Sequence, residues 1–319
     1  MNRDEKAPLF SIVMPVFNGA KLIKETILSL QAQTLGDFEL LVMDDGSTDN
    51  TAEIVQQLAA TDPRIKLHRL INGGAPSARN KGLQLAKGQY LAVNDADDLW
   101  PSDRLANQYT VLQEDDSRIV IGGVQRFSVN TANEKIWGYT TLLAANPLQG
   151  RDYVKFVLAQ PANHMAIFHT LCGKRSLIEK YGGWDETLAS AEDWDFWLRL
   201  AKSVPFYHID KVMLYYRKYP DSVTKKAAKT KPLECQLTIV RKIAGLLPLS
   251  FWERRHFASY RFKEAIKIYN YEGEFLLSLK TLCSAFLYSD LALQKSYYGL
   301  CLDTIKGTAR SFIGKNRAL

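Results

Sequence analysis

Cysteine is scarce and does not form a pattern. The four cysteines, Cys172, Cys235, Cys283 and Cys301, contain no CxxC pair. That argues against a zinc ribbon and a disulfide framework, and points to a reducing, cytoplasmic setting. No GxGxxG follows the first apolar run, which disfavours a dinucleotide-dependent dehydrogenase. Long uncharged apolar runs are also missing. In the apolar stretch 275–302 the longest central run without a charge is 281–289, far below the ~20 residues a spanning helix needs. The first sixteen residues carry acids and reach Pro15 inside their apolar run, unlike a secretory signal. No internal repeat occurs.

What is present is enough apolar residue for a sizeable core. Hydrophobic residues make up 46% of the 319, which excludes wholesale disorder. The net charge of +7 is unevenly spread: residues 221–319 hold 17 Lys/Arg against 8 Asp/Glu, and the first 220 hold 24 against 26. The tail, not the body, is therefore the part suited to an anionic partner.

The first third alternates strand-like and helix-like segments. Residues 9–16, 38–43, 64–69 and 89–93 read as strands. Between them, Ile23, Ile27 and Leu30 share one helical face, and Asn50 with Glu53 resembles a capping box. Pro76 suits the first turn of a helix ending near Lys87, with Gly88 as its stop. Strand and helix alternating at these lengths predict an α/β fold with a parallel sheet covered on both faces. Further on, 118–127 and 205–219 read as strands, and 151–159, 175–183 and 192–202 as helices.

Ligands in such sheets bind beyond the carboxyl ends of the strands. Asp44 and Asp45 follow the second predicted strand; Asp95, Asp97 and Asp98 follow the fourth. Three carboxylates in four positions repel one another, and a turn needs only one of them. A divalent cation, Mn2+ or Mg2+, would use such a group, because it takes a few carboxylates and lets a diphosphate complete its shell. On an extended segment the DxD spacing turns Asp95 and Asp97 to one side. Asp98 is expected to cap the following helix or to support the cation indirectly. His169 and His164 are expected to be structural.

Four blocks, SIVMPVFNG (11–19), LLVMDDGSTDNT (40–51), NGGAPSARNKGLQLAKGQYLAVNDADDLW (72–100) and GGWDETLASAEDWDFWLRL (182–200), resemble in order the signature blocks of family 2 glycosyltransferases over roughly residues 9–215. The resemblance implies an inverting enzyme with a GT-A fold, a Rossmann-type mixed sheet flanked by helices, here followed by a C-terminal helical region. It implies that Asp45 accepts a hydrogen bond from the nucleotide base, with Pro15, Val16 and Phe17 lining the base pocket. Arg79 would stand near the diphosphate, Asp95 on the ribose or sugar side, and Asp97 would be the metal ligand. Asp193 resembles the catalytic base, with Glu192 orienting it or touching the acceptor. No QxxRW block follows, which implies transfer of a single sugar, from a UDP-sugar to a glycan or lipid-linked acceptor. The implied division is a nucleotide-sugar-binding half (1–110), an acceptor-binding half (111–222) and a basic helical region (223–319). An inactive sugar-nucleotide- or glycan-binding module on the same scaffold is the competing reading. Nucleic-acid binding by the basic, aromatic tail lacks any recognised motif.

The tail is expected either to pack as helices or to lie on an anionic membrane surface, with Lys and Arg facing the lipid. That would place the protein in the cytoplasm or peripherally on the inner face of the cell membrane. If the membrane reading holds, the full chain cosediments with vesicles containing anionic lipid and not with neutral ones, and raising the salt releases it. Equal recovery with both vesicle types removes that reading.

Overall fold

The computed structural model describes residues 7–130, 132–141, 152–153, 168–188 and 192–218, with Lys242, Phe251, Ala258 and Ile266 in addition. The expected helix at 151–159 is described only at residues 152–153, and His164 lies outside the described residues. The chain divides into two compact units. One comprises Met1–Tyr153, Asn163–Thr187 and Arg199–Tyr219; the other comprises Val154–Ala162, Leu188–Leu198 and Pro220–Leu319. Among the described residues no helix is long and apolar enough to cross a membrane.

The first unit is built on an eight-stranded mixed sheet. Strands β1 (Phe10–Val16), β2 (Phe38–Asp44), β3 (Ile65–Arg69) and β4 (Tyr90–Val93) run parallel in the order β3-β2-β1-β4. Every residue of β1, β2 and β4 is buried, as a sheet covered on both faces requires. The helices between them are α1 (Ile23–Gln31), α2 (Thr51–Ala59) and α3 (Ala75–Leu85). Ile23, Ile27 and Leu30 are the buried face of α1, as their spacing predicts. The chain leaves β1 to one side for β2 and returns to its other side as β4. The gap between the carboxyl ends of β1 and β4 is thus a topological switch point, where open α/β sheets bind ligands.

Beyond β4 the sheet changes direction. Strand β7 (Cys172–Lys174) pairs antiparallel with β4 and with β5 (Ile119–Val129). Strand β6 (Lys135–Thr141) forms a hairpin with β5, and β8 (Phe206–Arg217) lies parallel along β5's other side. Helices α4 (Arg104–Glu114), α5 (Arg175–Lys180) and α6 (Glu192–Ala201) complete the described elements. The β6 arm of the hairpin, with Ile136 and Trp137 exposed, was not legible in the sequence. The 110/111 boundary expected within the catalytic domain falls inside α4.

Three local expectations are corrected. Asn50 precedes α2 but makes no side-chain cap bond; Asp49 Oδ1 accepts from the Thr51 amide at 3.1 Å and also from its hydroxyl. Helix α3 ends at Leu85, before Gly88. Gly88 serves close approach instead: a Cβ there would stand 2.4 Å from the Ser11 amide nitrogen, so the residue lets the chain cross β1. Asp98 does not cap α4, whose N-cap position is Asp103. The expected glycine stop after α5 is present, with Gly182 and Gly183 both at positive φ.

In the second unit, the buried Asp195 of α6 accepts from Lys242 Nζ at 2.8 Å. Trp194 and Trp197 meet edge-to-face at 5.1 Å. Ala258 and Ile266 are fully buried.

In the first unit His208 is buried, 3.3 Å from the Tyr153 hydroxyl, and burial pushes its pKa down from 6.5 to about 4. The unfolded chain therefore takes up a proton that the folded chain refuses. Stability is full above the unfolded pKa and falls as pH drops towards the folded one. His208→Gln is expected to remove about 2–3 kcal/mol of the stability difference between pH 7 and pH 4.5, read by urea unfolding at both pH values. An unchanged difference would contradict this origin.

Candidate active site

The loop after β4 is a turn, not an extended segment: the Asp98 amide reaches back to the Asp95 carbonyl at 3.3 Å. The alternation that would turn Asp95 and Asp97 to one side is broken. Asp95, Asp98 and His169 come together instead, with one ligand atom of each lying within 4.8 Å of the others. His169, expected to be structural, stands in the turn before β7 with Nδ1 2.8 Å from Asp95 Oδ2. Its backbone carbonyl is held by Arg104, whose Nη2 donates to it at 3.0 Å.

Asp95 is engaged on both oxygens, because Arg79 Nη2 donates to Oδ1 at 2.9 Å. Arg79 comes from α3, is only 5% exposed, and lies 5.9 Å from the Trp184 ring centroid. Burial would raise the Asp95 pKa; the charges and hydrogen bonds of His169 and Arg79 outweigh it and hold the carboxyl well below the usual range. Asp98, three residues on, is shifted the opposite way. It is 1% exposed, and burial, Asp97 and Asp95 push its pKa well up, against His169 and one hydrogen bond. That bond is from the Arg217 amide to Oδ1, at 2.9 Å. Asp98 Oδ2 is buried with no hydrogen-bond partner among the described residues. Asp97 is half-buried, and its carbonyl accepts from Arg217 Nε at 2.9 Å.

Asp45 follows β2 and is buried. Its amide bonds the Val16 carbonyl at 2.8 Å, which ties it to the end of β1. Its two oxygens accept from the Gly73 and Gly74 amides, each at 2.8 Å, and each oxygen keeps further acceptor capacity. Pro15 and Val16 are buried at the end of β1, and Phe17 is 50% exposed just beyond. Asp45, Phe17 and the Asp95–Asp98 turn therefore share the carboxyl edge of the parallel strands. Glu192 and Asp193 are half-buried in the first turn of α6, in the second unit.

Sequence reasoning also missed Arg104. Its fully buried guanidinium stacks 3.6 Å from the Trp100 ring centroid and donates to the Met213 carbonyl at 3.2 Å. Burial pushes its pKa down to about 9, against the pull of Cys172 and Asp98. The only signal was an arginine at the start of an amphipathic helix, which reads equally well as a surface residue.

The model of glycosyl transferase family 2 matches residues 11–182. The chain belongs to this family. It is 35% identical over 126 residues to the glycosyltransferase GlyG of Streptococcus pneumoniae, covering 39% of this chain and 42% of GlyG. It is 30% identical over 208 residues to the chondroitin synthase of Escherichia coli, covering 65% of this chain and 29% of the synthase. The chain thus spans less than half of either relative. Its fold is similar to that of Staphylococcus aureus TarS 1–349 in complex with UDP-GlcNAc, at 20% identity, TM-score 0.63 and coverage of 93% and 88%. The mannosyltransferase PcManGT of Pyrobaculum calidifontis, in complex with GDP-Man and Mn2+, aligns at 21% identity, TM-score 0.58 and coverage of 97% and 88%. These likenesses identify the architecture as GT-A.

In this family 2 chain, burial and the neighbouring Asp95 and Asp97 disfavour the ionised form of Asp98. Asp98→Asn keeps an acceptor for the Arg217 amide and removes the repelled charge. It is expected to raise the melting temperature of the metal-free protein by about 1–2 °C, near 1 kcal/mol. It is also expected to shrink any stabilisation by Mn2+. Differential scanning calorimetry with EDTA and with Mn2+ checks both; a lower metal-free melting temperature would contradict the repulsion.

Proposed function

We propose that the chain is a metal-dependent inverting glycosyltransferase that moves one sugar from a nucleotide-diphosphate sugar, a UDP-sugar, to a hydroxyl of a glycan or lipid-linked acceptor. The observation that carries this is the convergence of Asp95, Asp98 and His169 at the switch-point edge, with a buried Asp98 oxygen that has no hydrogen-bond partner among the described residues. An orphaned carboxylate oxygen beside a second acid and an imidazole fits a divalent cation that accepts oxygen and nitrogen ligands. Asp98 and His169, with Asp95 beside them, are the residues that would hold Mn2+ or Mg2+, and Asp97 is the further ligand that the family resemblance adds. When bound, the ion supplies positive charge against the negative charge that grows on the leaving diphosphate.

The chain's own residues do the rest. Arg79 brings a fixed guanidinium to the same edge and orients Asp95 towards the donor. Asp45 accepts from the base, commonly the uracil N3–H, while Val16 and Phe17 give the base an apolar wall. Asp193 takes the proton of the acceptor hydroxyl as the oxygen attacks the anomeric carbon, and the bond from that carbon to the diphosphate oxygen breaks in line. Glu192 orients Asp193 or contacts the acceptor.

The donor is tested by thermal shift across UDP-, GDP- and dTDP-sugars, with and without Mn2+. A UDP-sugar is expected to give the largest stabilisation, and Asp97→Ala to remove its metal-dependent part. Asp193→Ala is expected to leave the donor dissociation constant within about threefold while turnover falls by about 10²-fold or more. Equal losses of binding and turnover would overturn the base assignment. Donor binding without turnover in the unaltered chain would favour the non-catalytic binding module.

A further inference from the structure

Arg217, the last residue of β8, lies 120 positions from the acidic turn and belongs to none of the motifs that drew attention in the sequence. Its placement is unusual. The backbone amide donates to Asp98 Oδ1, and the side-chain Nε donates to the Asp97 carbonyl. Nη2 reaches Glu25 Oε2 of α1 at 2.5 Å. The guanidinium lies 4.7 Å from the Phe127 ring centroid, and the residue is 5% exposed. Glu25 in turn pairs with Lys135 of β6 at 2.8 Å. Burial would raise the Glu25 pKa, but hydrogen bonds and charge from Lys135 and Arg217 lower it overall, so the anchor stays ionised.

The backbone already joins this segment to β8. Leu99 and Tyr215 exchange amide–carbonyl bonds at 3.1 and 2.8 Å, and these hold the chain wherever the Arg217 side chain goes. What the side chain adds is directed at one peptide. The Asp97 carbonyl belongs to the planar unit that joins Asp97 to Asp98. Fixing that plane restrains ψ of Asp97 and φ of Asp98, and with them the directions in which the two side chains leave the backbone. The amide of the same arginine then holds one Asp98 oxygen and leaves the other without a hydrogen-bond partner. We propose that Arg217 is a positioning residue of the donor site: its side chain on the Asp97 carbonyl and its amide on the Asp98 carboxylate together aim the two acids at a divalent cation, with Glu25 and the Phe127 face holding the grip. The proposal rests on the metal reading above.

Lysine cannot do this. Two different nitrogens of one rigid fork serve two acceptors on different elements, and a single ammonium on a flexible stem cannot span both. A mere charge partner for Glu25 would be replaced by lysine without loss. The test is therefore Arg217→Lys and Arg217→Gln in the full chain, with Lys135→Met as control. Amide hydrogen exchange of residues 95–99 is followed without metal, Mn2+ affinity by titration calorimetry, and global stability by urea unfolding. Both Arg217 variants are expected to lose about tenfold protection at 95–99 beyond any global change, and about 10–100-fold in Mn2+ affinity. Lys135→Met is expected to stay within about twofold on both readings. The proposal is overturned if Arg217→Lys matches the unaltered chain in protection and Mn2+ affinity, or if protection is lost equally across all strands. If the unaltered chain takes up no Mn2+, the metal reading fails, and exchange at 95–99 still decides whether Arg217 orders the turn.

Discussion

Three carboxylates at the end of a buried strand cannot all be charged unless the protein brings positive charge and hydrogen-bond donors to them, and much of the first unit is arranged around that demand. Arg79 arrives from α3, His169 from the turn before β7 and Arg217 from the end of β8, each against a different part of the Asp95–Asp98 turn. Asp95 is satisfied from both sides and its pKa is depressed. Asp98 receives one backbone hydrogen bond and is left with a raised pKa and an orphaned oxygen. Two neighbouring acids pushed in opposite directions are the feature on which the proposed cation site rests.

The mixed sheet makes this convergence possible. The parallel half alone supplies the turn, Asp45 and Arg79. The reversal at β7 folds the next part of the chain back against β4 and sets His169 beside Asp95. Strand β8, lying parallel to β5, delivers Arg217. Arg104 then fastens the assembly from inside, donating to carbonyls of the 168–170 turn and of β8. A buried guanidinium bonded to carbonyls and stacked on Trp100 has little freedom, and the groups it touches inherit that rigidity.

Much of the parallel half was legible in the sequence. Runs such as 10–16 and 38–44 are apolar throughout because both sheet faces are covered, and the spacing of Ile23, Ile27 and Leu30 shows a helix packed on one side. Asp45, Arg79 and the acidic turn stood out through position and family resemblance. The contacts inside the turn did not. DxD spacing suggests an extended pair, but the chain turns, and Asp98 with His169 joins Asp95 where Asp97 was expected. His169 lies in a stretch with no periodic pattern, and Arg217 looks like any basic residue closing a strand.

The order of elements, the edge on which the acids stand and the types of residue able to handle a diphosphate are local properties, set by hydrophobic period, turn chemistry and the direction of parallel strands; the amino-acid order determined them. Which acid meets which cation was decided only by tertiary structure. Ion pairing and hydrogen bonding act over a few ångströms of space, and the partners here lie 16, 74 and 120 positions apart in the chain. No period in the sequence connects residues at those separations. They meet because the sheet reverses at β7 and β8 ends beside the turn.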